Sequence, residues 1–587
     1  MPNTQTDAPS ATPFVEHATK LWQQAMQGGQ MQPPGAPQMS TMIKAFSAVA
    51  ESLAHKPEHV LAESLKYHQG QLALGANFLE QMLGRTPSKP AVQPEKGDNR
   101  FAHESWQLPM FDMLKQSYLL TSQYLQNTVN GAEGMPGAQA QQAQFYTRQF
   151  IEALSPSNWL LTNPEAISTA LSTQGESLLQ GMKNMLADIQ RGKISMTDTS
   201  KFDVGVNIAT TPGQVVYRNR LIELIQYAPT TEKVQAIPLV ICPPWINRYY
   251  ILDLKAENSL VKYLTDMGFQ VFMVSWKNPD SSYRDVGFED YMVEGLFAAT
   301  DVARSITGQK QVNVVGYCIG GTMVSAGLAV LQAQGDKRIK SATFLTTLTD
   351  FSRAGELMVF TDDAQVAALE AQMQRDGVLD GKSMATTFSM LRANDLIWNF
   401  VVQNYLLGKQ PFPFDILYWN DDSTRMPCAM HSWYLRKLYV ENALATPNAV
   451  TMCGEAIDLQ KLSCPMYMVS ALNDHITPWE SCYAPFAKMT SKNKRFVVTK
   501  AGHVAGVVNP PTPAGKPIKR SFWVGEAGAK DAQAWLKNAQ EQQDSWWPDY
   551  AQWLKDHSGE QVPASRHAGN ADYKPLCPAP GMYVKEK

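Results

Sequence analysis

From about residue 201 onward the sequence predicts an α/β domain, on three observations. Short β-branched runs alternate with amphipathic helical stretches. One run, Val312–Val315, ends in Gly316-Tyr317-Cys318-Ile319-Gly320-Gly321 and passes straight into the helical stretch TMVSAGLAVLQA. Two later runs end beside Asp474 and His503. A strand, a sharp turn bearing a nucleophile and an immediate helix make a nucleophile elbow. The chain order nucleophile, acid, histidine is that of the α/β-hydrolase fold.

The predicted strands are Gln214–Asn219, Arg220–Tyr227, Pro238–Cys242, Gln270–Ser275, Gln311–Val315, Ala342–Leu348, Met466–Ser470 and Arg495–Thr499. Helices are expected between them at Ser259–Asp266, Tyr291–Ile306 and Thr322–Ala333. Between Phe351 and about Leu459 the alternation stops. A structureless loop of that length does not suit a compact domain. We therefore expect a helical cap insertion, about 352–459, packed over the C-terminal edge of the sheet. Residues 201–587 form the catalytic domain.

Ahead of Lys201 the apolar spacing is helical. Residues 99–200 are expected to form a mostly helical N-terminal domain, preceded by a variable, partly disordered segment, 1–98. Within it Met42 to Leu83 has helical spacing, loosely tied to the rest. Disorder is expected at QGGQMQPPGAPQ (27–38) and GRTPSKPAVQPEKGD (84–98).

Composition narrows the class. Hydrophobic residues are 44% and charged residues 18%, as in a globular chain, and a net charge of −3 offers no electrostatic case for nucleic acid. The seven cysteines are odd in number and contain no C-x-x-C, which points to a reducing compartment without disulfides or a zinc knuckle. The N-terminus lacks a signal-peptide pattern, and no apolar run approaches the ~18 residues of a membrane span. A cytoplasmic location is expected.

At the elbow, Cys318 is the candidate nucleophile. The following helix turns its positive end toward the sulfur and favours a thiolate. The amide of Ile319 is placed for an oxyanion. Asp474 and His503 lie 29 residues apart, as one intervening βα unit requires. His503 is read as the general base and Asp474 as the group that orients it; Asp474 also reads as a turn residue capping a helix that begins ITPWES. His475 is the rival base, but adjacent side chains rarely converge on one point. A second oxyanion amide is expected after an early strand, in Ile241-Cys242-Pro243-Pro244-Trp245-Ile246-Asn247, from Ile246 or Trp245.

A thiol in place of serine suggests transfer rather than hydrolysis. Exchange of an acyl-CoA thioester for a Cys318 thioester costs little free energy, and attack by a hydroxyl then runs downhill to an oxoester. An aromatic cap would exclude water. If the attacking hydroxyl belongs to another acyl thioester, the reaction is iterative and its product a polyester.

GYCIGG (316–321), PPWINRYYILDL (243–254), VSWKNPD (274–280), ANDLIWNFVVQNYL (393–406), FDILYWNDD (414–422), SALNDHITPW (470–479), AGHVAGVVNPP (501–511) and SWWPDY (545–550) together resemble the polyhydroxyalkanoate synthases. The resemblance spans roughly residues 100 to 587. It implies polymerisation of (R)-3-hydroxyacyl-CoA with CoA release, and places the family's nucleophile, aspartate and histidine on Cys318, Asp474 and His503. Trp419 and Asp253 match family positions and are read as support, Trp419 as a cap or dimer-contact aromatic. The single long chain resembles class I members, which implies short-chain monomers, a homodimer, granule association with possible granule-protein partners, and no cofactor, since the CoA thioester is substrate; class II members, with medium-chain monomers, are of similar length, and no residue named above separates the two. The competing readings are a cysteine-type α/β-hydrolase or polyester depolymerase using water, and a granule scaffold without chemistry.

Overall fold

Eleven strands form one mixed sheet in the computed structural model, which describes residues 36–85 and 89–587. They are β1 (Gly213–Arg218), β2 (Ile222–Tyr227), β3 (Leu239–Cys242), β4 (Val271–Trp276), β5 (Val312–Tyr317), β6 (Ile339–Leu345), β7 (Met466–Ala471), β8 (Lys494–Thr499), β9 (Ser521–Glu526), β10 (Gln540–Gln543) and β11 (Cys577–Pro578). Their spatial order is β10-β9-β8-β7-β6-β5-β3-β4-β2-β1-β11. The central strands β4, β3, β5, β6, β7 and β8 are parallel, and every other pairing is antiparallel. Covered on both faces, β3, β4, β5 and β7 are buried along their whole length, which is why they read as unbroken apolar runs. Separate apolar cores fill the two faces.

The chain divides into two compact units. The second comprises Thr197–Leu391 and Pro413–Lys587 and holds the sheet. Three of its strands, β9, β10 and β11, were not predicted. Gln540–Gln543 is polar and partly exposed at one edge, and Cys577–Pro578 has two residues, so neither carries an apolar signal. Strand β9 follows a Pro- and Lys-rich loop, 509–520, that masks its alternation.

The insertion between β6 and β7 is helical where it belongs to this unit, with helices at Asp363–Asp376, Gly381–Leu391, Asp415–Asn420 and Cys428–Trp433. It is fastened to loops at the C-terminal ends of the parallel strands. Glu356 N donates to His475 O at 3.1 Å, Thr424 N to Ile246 O at 2.9 Å and Met430 N to Val286 O at 3.0 Å. Phe288 stacks on Trp433 with ring centres 4.6 Å apart.

The first unit joins the described residues up to Met196 with Arg392–Phe412. This corrects the expectation that 352–459 forms one cap. Helix α1 spans Ala36–Ala54, α2 Pro57–Met82, α3 Pro109–Asn130, α4 Gly137–Ala153, α5 Pro164–Ser172 and α6 Glu176–Arg191. Residues 401–408 lie on α6: Asn184 Nδ2 donates to Asn404 O at 2.9 Å, and Tyr405 Oη to Asp188 Oδ2 at 2.8 Å. The partners stand some 220 residues apart, beyond the reach of local sequence pattern.

Helix α2 is not loosely tied. Tyr67 packs on Tyr124, and Asn127 Nδ2 donates to Glu63 Oε2 at 3.0 Å, binding α2 to α3. The disorder expected at 84–98 does not hold for 89–98. Ala91 N donates to Gln116 Oε1 at 2.8 Å and Val92 packs beside Phe101 and Trp106, so the prolines here give an extended packed segment. Of the break expected at 27–38, residues 36–38 begin α1; residues 27–35, and residues 86–88 of the second break, lie outside the described residues. Among the described residues no helix is long and apolar enough to cross a membrane.

Gly181 of α6 tests the joining of 392–412 to the first unit. A Cβ there would stand 1.9 Å from the Tyr405 carbonyl oxygen. Gly181→Ala is expected to cost about 1–3 kcal/mol by overpacking. Gly75→Ala, in α2 with open space around it, should gain roughly 0.5–1 kcal/mol from helix propensity. Thermal unfolding of both variants reads the contrast, and equal midpoints would contradict the contact.

Candidate active site

Cys318 caps the helix Ile319–Ala333, here α7, directly after β5. Its backbone is at φ +53°, ψ −123°, a conformation costly for any residue with a side chain. The turn is held from both sides. Cys318 N donates to Leu345 O at 2.9 Å, and Gly321 N and Thr322 N donate to Cys318 O at 2.9 and 3.1 Å. Close packing completes it: a Cβ on Gly320 would stand 2.3 Å from the Cys242 carbonyl oxygen and 2.8 Å from that of Pro243. Glycine at 320 thus lets α7 start against the loop that follows β3. The amide of Ile319 is the first of α7 and has no partner within the helix.

At the ends of β7 and β8 the structure brings Asp474 and His503 together. Their contact, His503 Nδ1 to Asp474 Oδ2, is 2.7 Å, with both residues buried. A carboxylate there accepts the Nδ1 proton and leaves Nε2 as the free ring nitrogen. The Cys318 sulfur lies close enough to act on the His503 imidazole, so the three side chains meet at one place. Burial alone would lower the His503 imidazole, but the Asp474 carboxylate and the Cys318 sulfur raise it to about 10. Burial would raise the Asp474 carboxyl, yet His503 and hydrogen bonds from Thr477 hold it below its ordinary range.

His475 meets the insertion through its backbone: its carbonyl accepts from Glu356 N and abuts Gly355, which anchors the insertion to the acid loop.

Thr477 was not singled out in the sequence. Its hydroxyl donates to Asp474 Oδ2 at 2.7 Å and lies 3.3 Å from His503 Nδ1, while the amides of Ile476 and Thr477 donate to Oδ1 at 2.9 and 2.8 Å. The carboxylate is therefore fixed by four donors. Only its spacing, three residues after an Asp, hints at such a turn. Tyr317 was also passed over; its ring stacks on His503 with centres 5.7 Å apart. The electrostatic influence of Cys318 reaches the hydroxyls of Tyr434 and Tyr439 in the insertion, and Phe351 packs edge-on against both rings.

Ile246 lies on the loop after β3. Cys242, the last residue of β3, pairs with Gly316 of β5, so this loop leaves the sheet beside the elbow. Trp245 points into the core: it is 1% exposed and packs on Tyr291, Trp276 and Phe288. Trp419, read as a cap or dimer-contact aromatic, is buried and donates its indole N–H to Arg248 O at 2.7 Å. Asp253 is buried and accepts from Ser259 Oγ at 2.7 Å and from Thr211 Oγ1 at 2.5 Å. Burial pushes the thiols of Cys242 and Cys482 well up, which keeps them neutral. Among the described residues no group of three or more His, Cys, Asp or Glu side chains is placed to hold a metal ion.

Residues 97–264 match the family described as poly-beta-hydroxybutyrate polymerase (PhaC) N-terminus, and residues 237–510 match the alpha/beta hydrolase fold. The chain is 44% identical over 558 residues to the poly(3-hydroxyalkanoate) polymerase of Methylorubrum extorquens, covering 94% of this chain and 91% of that one. It is also 44% identical over 496 residues to the poly(3-hydroxyalkanoate) polymerase subunit PhaC of Cupriavidus necator, covering 84% and 83%. Among solved structures, the monoacylglycerol lipase of Paleococcus ferrophilus is similar at 13% identity over 57% of this chain and 99% of that one, with a TM-score of 0.32. A helical region, a mixed sheet with an elbow, and this degree of identity over nearly the whole length lead to one conclusion: the chain belongs to the poly(3-hydroxyalkanoate) polymerase family, an acyltransferase family, on the α/β-hydrolase fold.

Proposed function

We propose that the protein polymerises (R)-3-hydroxyacyl-CoA, with short-chain monomers such as 3-hydroxybutyryl-CoA preferred, through an acyl thioester on Cys318. The observation that carries this reading is the grouping of Cys318, His503 and Asp474, with His503 hydrogen-bonded to Asp474, around a thiol on a strained turn. Support for the substrate class comes from the relatives, which are poly(3-hydroxyalkanoate) polymerases.

The charges set the order of steps. The Asp474 carboxylate and the Cys318 sulfur raise the His503 imidazole to about 10, so it is basic enough to take and hold the thiol proton. The sulfur attacks the thioester carbonyl of the acyl-CoA. The carbonyl electrons move to oxygen, where the amides of Ile319 and Ile246 would receive them. Collapse of this adduct breaks the bond to CoA, whose sulfur leaves with the His503 proton as free thiol. Now neutral, His503 is left as a base, with Asp474 still fixing its tautomer.

In the second half, His503 takes the proton of a 3-hydroxyl group. The alkoxide attacks the Cys318 thioester, the C–S bond breaks, and the departing sulfur can take back its proton from His503. One ester has formed and the resting charges are restored. This chemistry needs no cofactor. Phe351, Tyr434 and Tyr439 from the insertion supply an apolar surround that disfavours water as acceptor. Association with the polyester is supported by the apolar face of α6, where Leu179, Met182, Leu186 and Ile189 are each at least 45% exposed.

Cys318→Ala is expected to lower CoA release from 3-hydroxybutyryl-CoA by roughly 10⁴-fold or more. A thiol assay reads the rate, and turnover near that of the parent would remove the thioester route. His503→Gln should lose at least ~100-fold more activity than His475→Gln; the reverse ranking would move the base to 475. Product analysis separates transfer from hydrolysis. Insoluble polyester is expected, with C4 substrate outpacing C8, whereas free 3-hydroxy acid as main product would select a hydrolase.

A further inference from the structure

We propose that residues 582–587 form a strap that positions the 243–248 loop for acyl transfer, with Arg248 as the positioning residue. The inference rests on the reading of Ile246 as an oxyanion donor to the Cys318 adduct.

Arg248 is 3% exposed, although it carries a full charge. One carboxylate approaches it: Asp422 Oδ1, 3.4 Å from Nε, itself fixed by Tyr250 Oη at 2.7 Å. The remaining donors end on the strap. Nη1 donates to Tyr583 O at 3.0 Å, and Nη2 donates to Glu586 O. A buried guanidinium leaves its donors unpaired at high cost, so the strap carbonyls and the loop require each other.

The strap is anchored independently of Arg248. Met582 N and Tyr583 N donate at 2.8 and 2.9 Å to Glu223 Oε2, whose side chain is wholly buried in β2. Tyr583 Oη donates to Asn219 O at 2.7 Å, and Lys277 Nζ pairs with the Glu586 carboxylate at 2.9 Å. Strand β11, just before it, pairs with β1. Four contacts, to Glu223 of β2, Asn219 before it and Lys277 after β4, thus fix where the strap carbonyls stand.

The loop is held on its other side by residues 419–425. Trp419 Nε1 donates to Arg248 O, Thr424 N to Ile246 O, and Thr424 Oγ1 to Trp245 O. Arg425 in turn reaches the strap at Lys587 O. Every carbonyl of 245, 246 and 248 is therefore engaged from the 419–425 side, and the Arg248 side chain supplies the opposing hold. Because the loop starts against Gly320 of the elbow, a shift at Arg248 moves the Ile246 amide relative to the sulfur. Errors of about 1 Å in such donors carry large rate costs.

Arg248→Met, in the full-length protein, keeps the stem and removes the donors. We expect kcat for CoA release to fall ~10- to 100-fold with KM changed less than about 3-fold, since an oxyanion contact acts in the transition state. Alkylation of Cys318 by iodoacetamide displaces iodide at a saturated carbon and develops no oxyanion, so its rate should stay within about 3-fold of the parent. Arg248→Lys should recover little, lacking the fork. Parent-like kcat in Arg248→Met overturns the proposal. So does a parallel fall of alkylation and CoA release, which would mean general damage to the elbow. If Arg248→Met does not fold, Lys277→Met loosens the strap from the surface. A kcat loss of about 3-fold or more at unchanged alkylation then supports positioning, and parent-like kcat overturns it. CoA release by the parent that survives Cys318→Ala would instead reject the acyl-transfer reading, and the strap proposal with it.

Discussion

One backbone residue held where side chains do not belong governs the active site. Cys318 at positive φ is unfavourable by itself, of order 1–3 kcal/mol. Its surroundings hold it there: a hydrogen bond to β6, two amides of α7 on its carbonyl, and glycine at 320 pressed on the carbonyls of Cys242 and Pro243. The result is a sulfur raised from the sheet edge at a helix N-terminus, with the β3 loop fixed beside it. The positions of Ile319 and Ile246, and the reach of His503, follow from that turn. A relaxed backbone at 318 would dismantle all of them together.

Much of this was legible because the elbow writes itself locally. Strand, Gly-x-Cys-x-Gly and helix occupy consecutive residues, and the buried parallel strands are apolar throughout. The acid and histidine were equally accessible, since each lies at the tip of an apolar strand. What escaped was either weakly apolar or remote. Edge strands such as Gln540–Gln543 bury little and leave no periodic trace. The packing of 401–408 on α6 depends on partners two hundred residues away. Thr477 shows another limit: its position is a common turn spacing, and only coordinates reveal that its hydroxyl shares Oδ2 with the imidazole.

The same distinction explains Trp419 and Trp245. From sequence, Trp419 reads as a cap or dimer-contact aromatic and Trp245 as one of two candidate amide donors. In the fold Trp419 is a hydrogen-bond donor to Arg248 O, and Trp245 is core. Both serve the 243–248 loop from behind. Aromatic content in this chain thus reflects the fastening of loops at the sheet's C-terminal edge as much as any substrate surface.

Electrostatics then turn a rigid site into a cycle. Asp474 is held by donors from Thr477, Ile476 and His503, so it stays charged and in place whether or not the imidazole carries a proton. That fixed carboxylate, together with the Cys318 sulfur, raises the His503 imidazole to about 10. A base kept this strong and in one tautomer suits the acyl transfer proposed above, in which one imidazole takes the proton of the sulfur, gives it to the departing CoA and takes another from the arriving hydroxyl without moving. In that proposal the thiol at 318 sets the energy level of the acyl group, and the cycle depends on keeping water from the thioester while a hydroxyl enters.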